Sequence, residues 1–149
     1  MPRGRDTTLT TERRSMSYSF VIDTFAWVEY LIGSTRGRNA KKCIETGKAA
    51  TPTIVLVELT KWFLREVEAK RRTLTEMNNT FEFIRATTLS IDLDERLAKA
   101  AGEVHFVMKK RIQDWPMADS IVYASAKTVG ATVVTGDAHF KLLENVTLL

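Results

Sequence analysis

The stretch SFVIDTFAWVEYLI, residues 19–32, passes from an apolar run into a helical pattern through a single acidic residue, Asp23. Residues 19–23 have the continuous apolar character of a buried strand. Residues 24–32 have a helical pattern, and Gly33 is a typical residue for ending a helix. The stretch therefore predicts a strand that feeds a helix, with a carboxylate at the junction.

Strand-like and helical runs continue to alternate along the rest of the chain. The other predicted strands are 49–51, 87–91, 132–135 and 146–148, and the other predicted helices are 38–46, 53–69, 75–86, 92–110 and 117–129. Thr53 is expected to cap its helix, because Pro52 precedes it and its hydroxyl can accept from free amides. Strands separated by helices favour a parallel sheet covered on both faces. We predict an α/β protein, a three-layer α/β/α sandwich with a mostly parallel central sheet.

The length of 149 residues fits one domain. Residues 1–17 are polar and basic and predict a flexible N-terminal extension, and residues 18–149 predict the folded domain. No apolar run reaches the length of a membrane span, and the N-terminus lacks the apolar core of a signal peptide. With Cys43 as the only cysteine, an internal disulfide is impossible, and we expect a cytoplasmic protein without a membrane partner.

Acidic residues occur where a carboxylate is costly, beside or within apolar segments: Asp23, Glu58, Asp119 and Asp137. Buried carboxylates are normally paired, protonated or bound to a metal. In a parallel sheet, sites form outside the carboxyl ends of the strands. Because Asp23 and Asp137 each follow a predicted strand, and Asp119 begins a helix, we expect these carboxylates to meet at one edge around a cation.

Glu58 is placed differently, in the middle of a predicted helix. Its neighbours on the same helical face are Val55 and Trp62, which belong to the apolar stripe that should face the sheet. The alternative for Glu58 is a buried ion pair with Lys61 or Arg85, which is rare for glutamate. Glu58 is therefore expected to point toward the other acids.

The three aspartates each have an ordinary structural explanation when taken alone. Asp23 could cap the following helix, Asp119 could be an acid favoured by the helix dipole, and Asp137 could form a turn with Gly136. If the acids do not share a cation, all of these explanations and the ion pair of Glu58 must be true at the same time. The conjunction favours a shared cation.

The chain has a net charge of +4 and a pI of about 9.3, which favours polyanionic partners. The cations cluster near the ends of predicted helices: Arg36, Arg38, Lys41 and Lys42; Arg65, Lys70, Arg71 and Arg72; Lys109, Lys110 and Arg111. Each cluster alone could be a solvated helix end. Taken together and beside an acidic site, the clusters favour two interpretations equally: a nucleic-acid-binding rim and ordinary solvated surface.

Other function classes have weaker support. A phosphatase of the haloacid-dehalogenase type needs a second acid two residues after Asp23, where Phe25 stands. A binding module could use an apolar groove lined by aromatic residues, Trp27, Tyr30, Trp62 and Phe63, although such residues are more often core.

Short segments of the chain resemble the signature segments of PIN-domain ribonucleases, especially the VapC-like toxins of toxin–antitoxin pairs. These segments are residues 20–24 (FVIDT), 57–58 (VE), 117–126 (MADSIVYASA) and 133–140 (VVTGDAHF). The resemblance covers nearly all of residues 18–149, and Thr135, Asp137 and Phe140 form its most specific part. The chain departs from the pattern at Ser120, where a small apolar residue is more usual and which could alter the orientation of Asp119.

The resemblance implies a Mg²⁺- or Mn²⁺-dependent endoribonuclease in which Asp23, Glu58, Asp119 and Asp137 bind the metal and carry out catalysis. Oxygen ligands suit these hard cations, whereas zinc would favour His or Cys, and His105 and His139 lack zinc spacing. His105 is expected to be structural or solvent-facing, and His139 to be a loop residue that could contact substrate.

The cation would lower the pKa of the attacking water and stabilise the departing oxygen, leaving 5′-phosphate and 3′-hydroxyl ends. Thr24 and Thr135 are candidates to orient the carboxylates. The resemblance also implies an RNA substrate, a homodimer and a cognate antitoxin. An RNA-processing or RNA-binding PIN module with little activity remains the alternative.

Overall fold

The computed structural model of the protein describes residues 18–149. Over this range the strands are β1 (Phe20–Ile22), β2 (Ala49–Pro52), β3 (Leu89–Ile91), β4 (Thr132–Thr135) and β5 (Val146–Leu148). The helices are α1 (Thr24–Ile32), α2 (Thr35–Ile44), α3 (Thr53–Glu68), α4 (Leu74–Thr87), α5 (Glu95–Arg111) and α6 (Met117–Val129), with a short 3₁₀ helix at Ala138–Phe140. The predicted extension lies outside the described residues, so the predicted division at residue 17 stays a prediction.

The strands form one sheet in the order β3-β2-β1-β4-β5, and every neighbouring pair is parallel. Right-handed crossovers place α1 to α4 on one face and α5 and α6 on the other. The predicted α/β/α sandwich is confirmed. The chain moves outward from β1 to β3 and then returns to lay β4 on the other side of β1, so the order reverses between β1 and β4.

The core lies on both sides of this central strand pair. Val21 and Ile22 of β1 and Val133 and Val134 of β4 are fully buried. Helix α6 covers them with an unbroken buried run from residue 119 to residue 126. The two strands are buried on both faces, which explains why their sequences are continuously apolar rather than alternating.

The second helix begins earlier than the sequence pattern indicated, at Thr35 rather than Arg38. Ser34 caps it by accepting from the backbone N–H of Gly37 at 2.9 Å. Gly37 faces the C-terminal end of α1 so closely that an added Cβ would lie 2.0 Å from the carbonyl oxygen of Glu29. The predicted helix 38–46 left Gly37 outside, whereas Gly37 lies within α2 and allows α1 and α2 to pack closely.

The predicted cap of α3 and the predicted start of α5 at residue 92 were also wrong. Pro52, and not Thr53, occupies the cap position of α3, and the Thr53 hydroxyl accepts from the backbone N–H of Leu93 at 3.3 Å instead. Helix α5 begins at Glu95 because Asp94 caps it through the N–H of Leu97 at 2.8 Å. The Thr53 hydroxyl, which was expected to cap α3, therefore binds the segment after β3 instead.

The aromatic residues considered for a groove divide into two groups. Trp27 and Phe63 are fully buried and belong to the core. Tyr30 and Trp62 are half-buried. These four residues therefore do not line an open groove. None of the helices in residues 18–149 is both long and apolar enough to span a membrane.

The contact at Gly37 can be tested by substitution. We expect Gly37→Ala to lower the free energy of unfolding by roughly 1–3 kcal/mol, because the new methyl group overlaps rigid backbone atoms. Gly102→Ala is the matched control, since Gly102 also lies within a helix but has open space where a Cβ would be. Denaturant unfolding should show the control to be neutral or stabilised. Equal stability of the two variants would contradict the close packing of α1 on α2.

Candidate metal centre

The candidate site lies at the carboxyl ends of β1 and β4, where the strand order reverses. Asp23 follows β1, and Asp137 comes two residues after β4. Asp119 lies in the first turn of α6, which starts at the same edge of the sheet, and Glu58 lies in the second turn of α3. A reversal of strand order opens a crevice at this edge, because the two connections leave in opposite directions.

Asp23 is buried, with only 4% of its surface exposed. It occupies the cap position of α1, but its side chain makes no capping hydrogen bond. Instead Oδ2 accepts from the hydroxyl of Thr135 at 2.8 Å. The pKa of Asp23 is raised to about 6, mainly by burial and also by the charges of Glu58 and Asp137. The hydrogen bonds from Thr135 and the Thr24 backbone act in the opposite direction and lower it. The Asp23 side chain therefore does not cap α1.

Asp119 is the least satisfied of the acids. It is 7% exposed, and its Oδ2 atom is buried without a hydrogen-bond partner in the described part of the chain. Burial, followed by the charges of Asp23 and Asp137, raises the pKa of Asp119 to about 8. A buried polar atom without a partner is rare in folded proteins and needs an explanation.

Asp137 is joined to Asp23 through one threonine. Thr135 Oγ1 donates to Asp23 and accepts from the backbone N–H of Asp137 at 3.0 Å. Asp137 Oδ1 in turn accepts from the backbone N–H of His139 at 2.9 Å, which caps the short 3₁₀ helix. The Asp137 side chain therefore caps the helix that follows it rather than closing a turn with Gly136. Asp137 and Asp119 each offer a carboxylate oxygen that lies within 4.8 Å of the other.

Glu58 is half-buried and accepts a hydrogen bond from the Thr24 hydroxyl at 2.7 Å. It forms no ion pair with Lys61 or Arg85. The bond joins the second turn of α3 to the first residue of α1, immediately after Asp23. Thr24 and Thr135 therefore each hold one acid, although their role in orienting metal ligands stays a prediction.

No Lys or Arg within residues 18–149 forms an ion pair with any of the four acids. The imidazole of His139 lies beside these acids, with its Nδ1 at 3.1 Å from Asp137 Oδ1 and 3.6 Å from Asp119 Oδ2. The donor set is dominated by carboxylate oxygens, one of them buried and unpartnered. This chemistry fits a hard divalent cation, which prefers oxygen ligands.

Sequence reasoning missed the surroundings of His139. Its Nε2 lies 3.1 Å from Asp114 Oδ2, and this hydrogen bond, partly opposed by burial, raises the pKa of His139, as do the charges of Asp137 and Asp114. Asp114 lies 25 residues earlier in an irregular segment, so no spacing rule links the two. The available signal was the position of His139, two residues after a predicted site acid.

Ser120, the departure from the family pattern, is fully buried beside Asp119. Its hydroxyl accepts from the indole N–H of Trp115 at 2.6 Å and lies 3.1 Å from His105 Nδ1. The hydroxyl therefore satisfies a buried indole rather than the carboxylate next to it. His105 has the structural role that was expected of it.

The basic clusters are partly occupied by local contacts. Arg71 is paired with Glu66, and Arg72 stacks over Trp62. Arg36 differs, because it is exposed and its guanidinium lies 5.7 Å from the ring centre of Phe25. That ring packs so closely on the loop after β4 that a Cβ added to Gly136 would lie 2.2 Å from it. Arg36 is thus connected to the acidic site through a single aromatic ring.

The sequence of residues 20–145 matches the model of the PIN domain family. The chain belongs to the PIN-domain family. A comparison with curated protein sequences gave no match. The predicted PIN-domain membership is confirmed.

Solved structures of toxins and toxin–antitoxin complexes share the fold. A toxin–antitoxin complex from Klebsiella pneumoniae aligns with a TM-score of 0.65 at 17% identity, covering 87% of this chain and 96% of that chain. DNA-bound VapBC from Salmonella typhimurium gives 0.64 at 16% identity, covering 89% and 97%. Mycobacterium tuberculosis VapC20, a sarcin–ricin loop cleaving toxin, gives 0.65 at 18% identity, covering 86% and 97%. At these identities the likeness establishes the VapC-like fold.

The raised pKa of Asp119 predicts how stability depends on pH in metal-free protein. Between about pH 4 and pH 8 the folded state holds a proton that the unfolded state has lost, so the free energy of unfolding falls as pH rises. Asp119→Asn removes the part of this dependence that Asp119 contributes and should be more stable than wild type at pH 8 by at least about 1 kcal/mol.

Chemical denaturation at several pH values in the presence of a chelator measures this effect. Asp92→Asn is the matched control, because Asp92 is an exposed acid that undergoes the same substitution. Its stability should follow the wild-type curve. A wild-type curve parallel to that of Asp119→Asn would contradict the proposed charge repulsion.

Proposed function

We propose that the protein is a Mg²⁺- or Mn²⁺-dependent endoribonuclease and the toxin of a type II toxin–antitoxin system. Asp23, Glu58, Asp119 and Asp137 are proposed as the metal-binding and catalytic residues. The observation that carries the proposal is the unpartnered, buried Oδ2 of Asp119 among acids that no Lys or Arg of the described chain neutralises. A divalent cation bound from solution would offset the repulsion among these acids near neutral pH.

A divalent cation bound there would activate water and neutralise charge on the phosphate and the departing oxygen. The chain's own residues set the geometry. Thr135 fixes the direction of Asp23 and, through the backbone of Asp137, the start of the loop that carries it. Thr24 holds Glu58 from the opposite side. Such bonds restrict the rotamers of the acids before metal and substrate arrive, which lowers the ordering cost of the reaction.

Arg36 is the best-placed residue to receive the RNA backbone. It is exposed, forms no ion pair in residues 18–149, and stacks over the ring that supports the loop of Asp137. A planar guanidinium binds phosphate through paired hydrogen bonds. We propose that Arg36 holds a phosphate near the scissile bond, where it offsets the repulsion between RNA and the acidic residues.

Exposed apolar side chains support the proposal of a protein partner. Val57 and Leu64 of α3 are 63% and 47% exposed and lie two turns apart on one face, and Ile32 at the end of α1 is 52% exposed. Contiguous exposed apolar residues often mark interaction sites. We propose that this protein binds a cognate antitoxin and forms a homodimer. The similar structures from Klebsiella and Salmonella are toxin–antitoxin assemblies, which supports the same proposal.

The main test is cleavage of RNA by purified protein with Mg²⁺ or Mn²⁺. Asp23→Asn and Asp119→Asn should each reduce the rate by about 100-fold or more, the scale of losing a group that stabilises developing charge. Asp92→Asn, which changes an exposed acid in the same way, should retain the wild-type rate. Sequencing of product ends should find 5′-phosphates. RNA binding without cleavage at any metal concentration would instead support the alternative of an RNA-binding or RNA-processing module.

The proposed role of Arg36 predicts a salt-dependent effect. Arg36→Ala should weaken binding of single-stranded RNA and lower the slope of log affinity against log salt concentration by about 0.7, as expected for one lost phosphate contact. Arg38→Ala is the control, since Arg38 lies on the same helix but bonds to Thr35. Fluorescence anisotropy at several salt concentrations measures both. An equal change of slope in the two variants would argue against a specific contact at Arg36.

A further inference from the structure

We propose that His139 Nδ1 is a nitrogen ligand of the same cation and that Asp114 is the residue that positions it. The resulting mixed set of oxygen and nitrogen donors favours Mn²⁺ over Mg²⁺. This inference rests on the proposed metal-dependent function, and it adds a ligand that the four-acid pattern of the sequence does not contain.

The first support is the spacing of the donor atoms. One ligand atom each from Asp119, Asp137 and His139 lie within 4.8 Å of one another. His139 Nδ1 is 3.1 Å from Asp137 Oδ1 and 3.6 Å from Asp119 Oδ2. Bonds of 2.0 to 2.1 Å in an octahedral site place neighbouring ligand atoms about 3.0 Å apart and opposite ones about 4.2 Å apart. The observed distances lie within the range for atoms that share one ion.

The second support is that two of these atoms have no other use. Within residues 18–149, neither Asp119 Oδ2 nor His139 Nδ1 has a hydrogen-bond partner, and both atoms are buried. Asp137 Oδ1 is close to Nδ1, but the contact lacks hydrogen-bonding geometry. Buried polar atoms are nearly always satisfied. A cation between them would satisfy both at once.

The third support is the tautomer that Asp114 imposes. The Asp114 side chain is 81% exposed, so it is an ordinary ionised carboxylate near neutral pH and can only accept. The ring nitrogen that faces it, Nε2 at 3.1 Å, must therefore carry the hydrogen. This leaves the lone pair of the neutral ring on Nδ1. A histidine that donates one N–H to a carboxylate and offers the other nitrogen to a metal is the usual arrangement in metal sites.

Buried aromatic residues hold both partners in place. Trp115, which follows Asp114, and Phe140, which follows His139, are almost fully buried, and their ring centres are 5.3 Å apart. The Trp115 ring also lies edge-on to the imidazole at 6.4 Å. Asp114 and His139 each adjoin one of two buried rings that pack on each other. This packing restricts the positions of both side chains and keeps them in contact.

A nitrogen donor changes which ion the site prefers. Mg²⁺ binds oxygen ligands almost exclusively, whereas imidazole suits transition metals and raises their affinity relative to Mg²⁺. Loss of the nitrogen should therefore reduce Mn²⁺ binding selectively. Loss of a general structural residue would reduce binding of both ions together.

Two substitutions separate the functions of the ring nitrogens. In His139→Gln the amide can reach the position of Nε2 and keep the hydrogen bond to Asp114, but nothing replaces Nδ1. In His139→Asn the amide oxygen can occupy the position of Nδ1, so an oxygen donor replaces the nitrogen. Circular dichroism and thermal unfolding of the metal-free variants establish that each is folded before binding is compared.

The direct test is pulsed electron paramagnetic resonance of the Mn²⁺-loaded protein, which detects nitrogen bonded to manganese independently of activity. Wild type should show a ¹⁴N coupling that His139→Gln lacks. His105→Gln is the control for the other histidine in the chain and should retain the coupling. Asp114→Asn should retain the coupling while binding Mn²⁺ about tenfold more weakly, as expected for loss of a residue that orients a ligand.

Isothermal titration calorimetry measures the selectivity of the site for Mn²⁺ over Mg²⁺. His139→Gln should weaken Mn²⁺ binding by about tenfold or more and Mg²⁺ binding by less than about threefold, and His139→Asn should fall between wild type and His139→Gln for Mn²⁺. Wild-type protein that binds Mn²⁺ without a ¹⁴N coupling, or a coupling that survives in His139→Gln, would overturn the inference and leave the acid site intact. Wild-type protein that binds neither ion would overturn the proposed function as well.

Discussion

Repulsion among carboxylates held together by the hydrophobic core is the interaction on which the rest of the site depends. Asp23 directly follows the fully buried Ile22, and Asp119 begins the buried run of α6. Neither can move into water without disrupting the packing of the central strands. The core therefore supplies the free energy that holds the acids close. The raised pKa values of Asp23 and Asp119 arise first from burial and then from the neighbouring negative charges. A structure of this kind is most stable when a positive charge from solution joins it.

The groups that hold the acids are hydroxyls and backbone amides rather than cations. Thr135 and Thr24 donate to Asp23 and Glu58, and the backbone N–H of His139 donates to Asp137. An arginine or lysine in these positions would orient the carboxylates equally well, but it would also neutralise them and compete with a metal ion for their oxygens. Neutral donors fix direction without removing charge. The absence of Lys and Arg from the acid contacts, over the part of the chain that the structure covers, is thus a property that a cation site requires.

The sequence was sufficient for the fold and for the elements that carry the acids, because those depend on local patterns. The apolar runs of β1 and β4 and the helical spacing of α6 are strong signals, and the bounds of α1 and α6 agree with the sequence prediction. The helix starts at Thr35 and Glu95 were missed because caps at Ser34 and Asp94 depend on which of several polar residues meets a free amide. The sequence placed His139 in a loop but could not join it to Asp114, since that contact depends on how two irregular segments pack. The packing of these segments is fixed by the contact between Trp115 and Phe140, and no sequence spacing indicates that these two residues meet.

Ser120 shows how such packing reaches the site. A small apolar residue at this position would leave the indole N–H of Trp115 buried without an acceptor, at a cost of about 1–3 kcal/mol. The hydroxyl therefore stabilises the burial of Trp115, and Trp115 carries Asp114 on its N-terminal side. Ser120 is also the residue after Asp119, so one side chain ties the helix that presents an acid to the segment that presents the partner of His139. The departure from the family pattern at position 120 and the Asp114–His139 contact are then parts of one arrangement, because the tryptophan that requires the serine is the residue that fixes the position of Asp114.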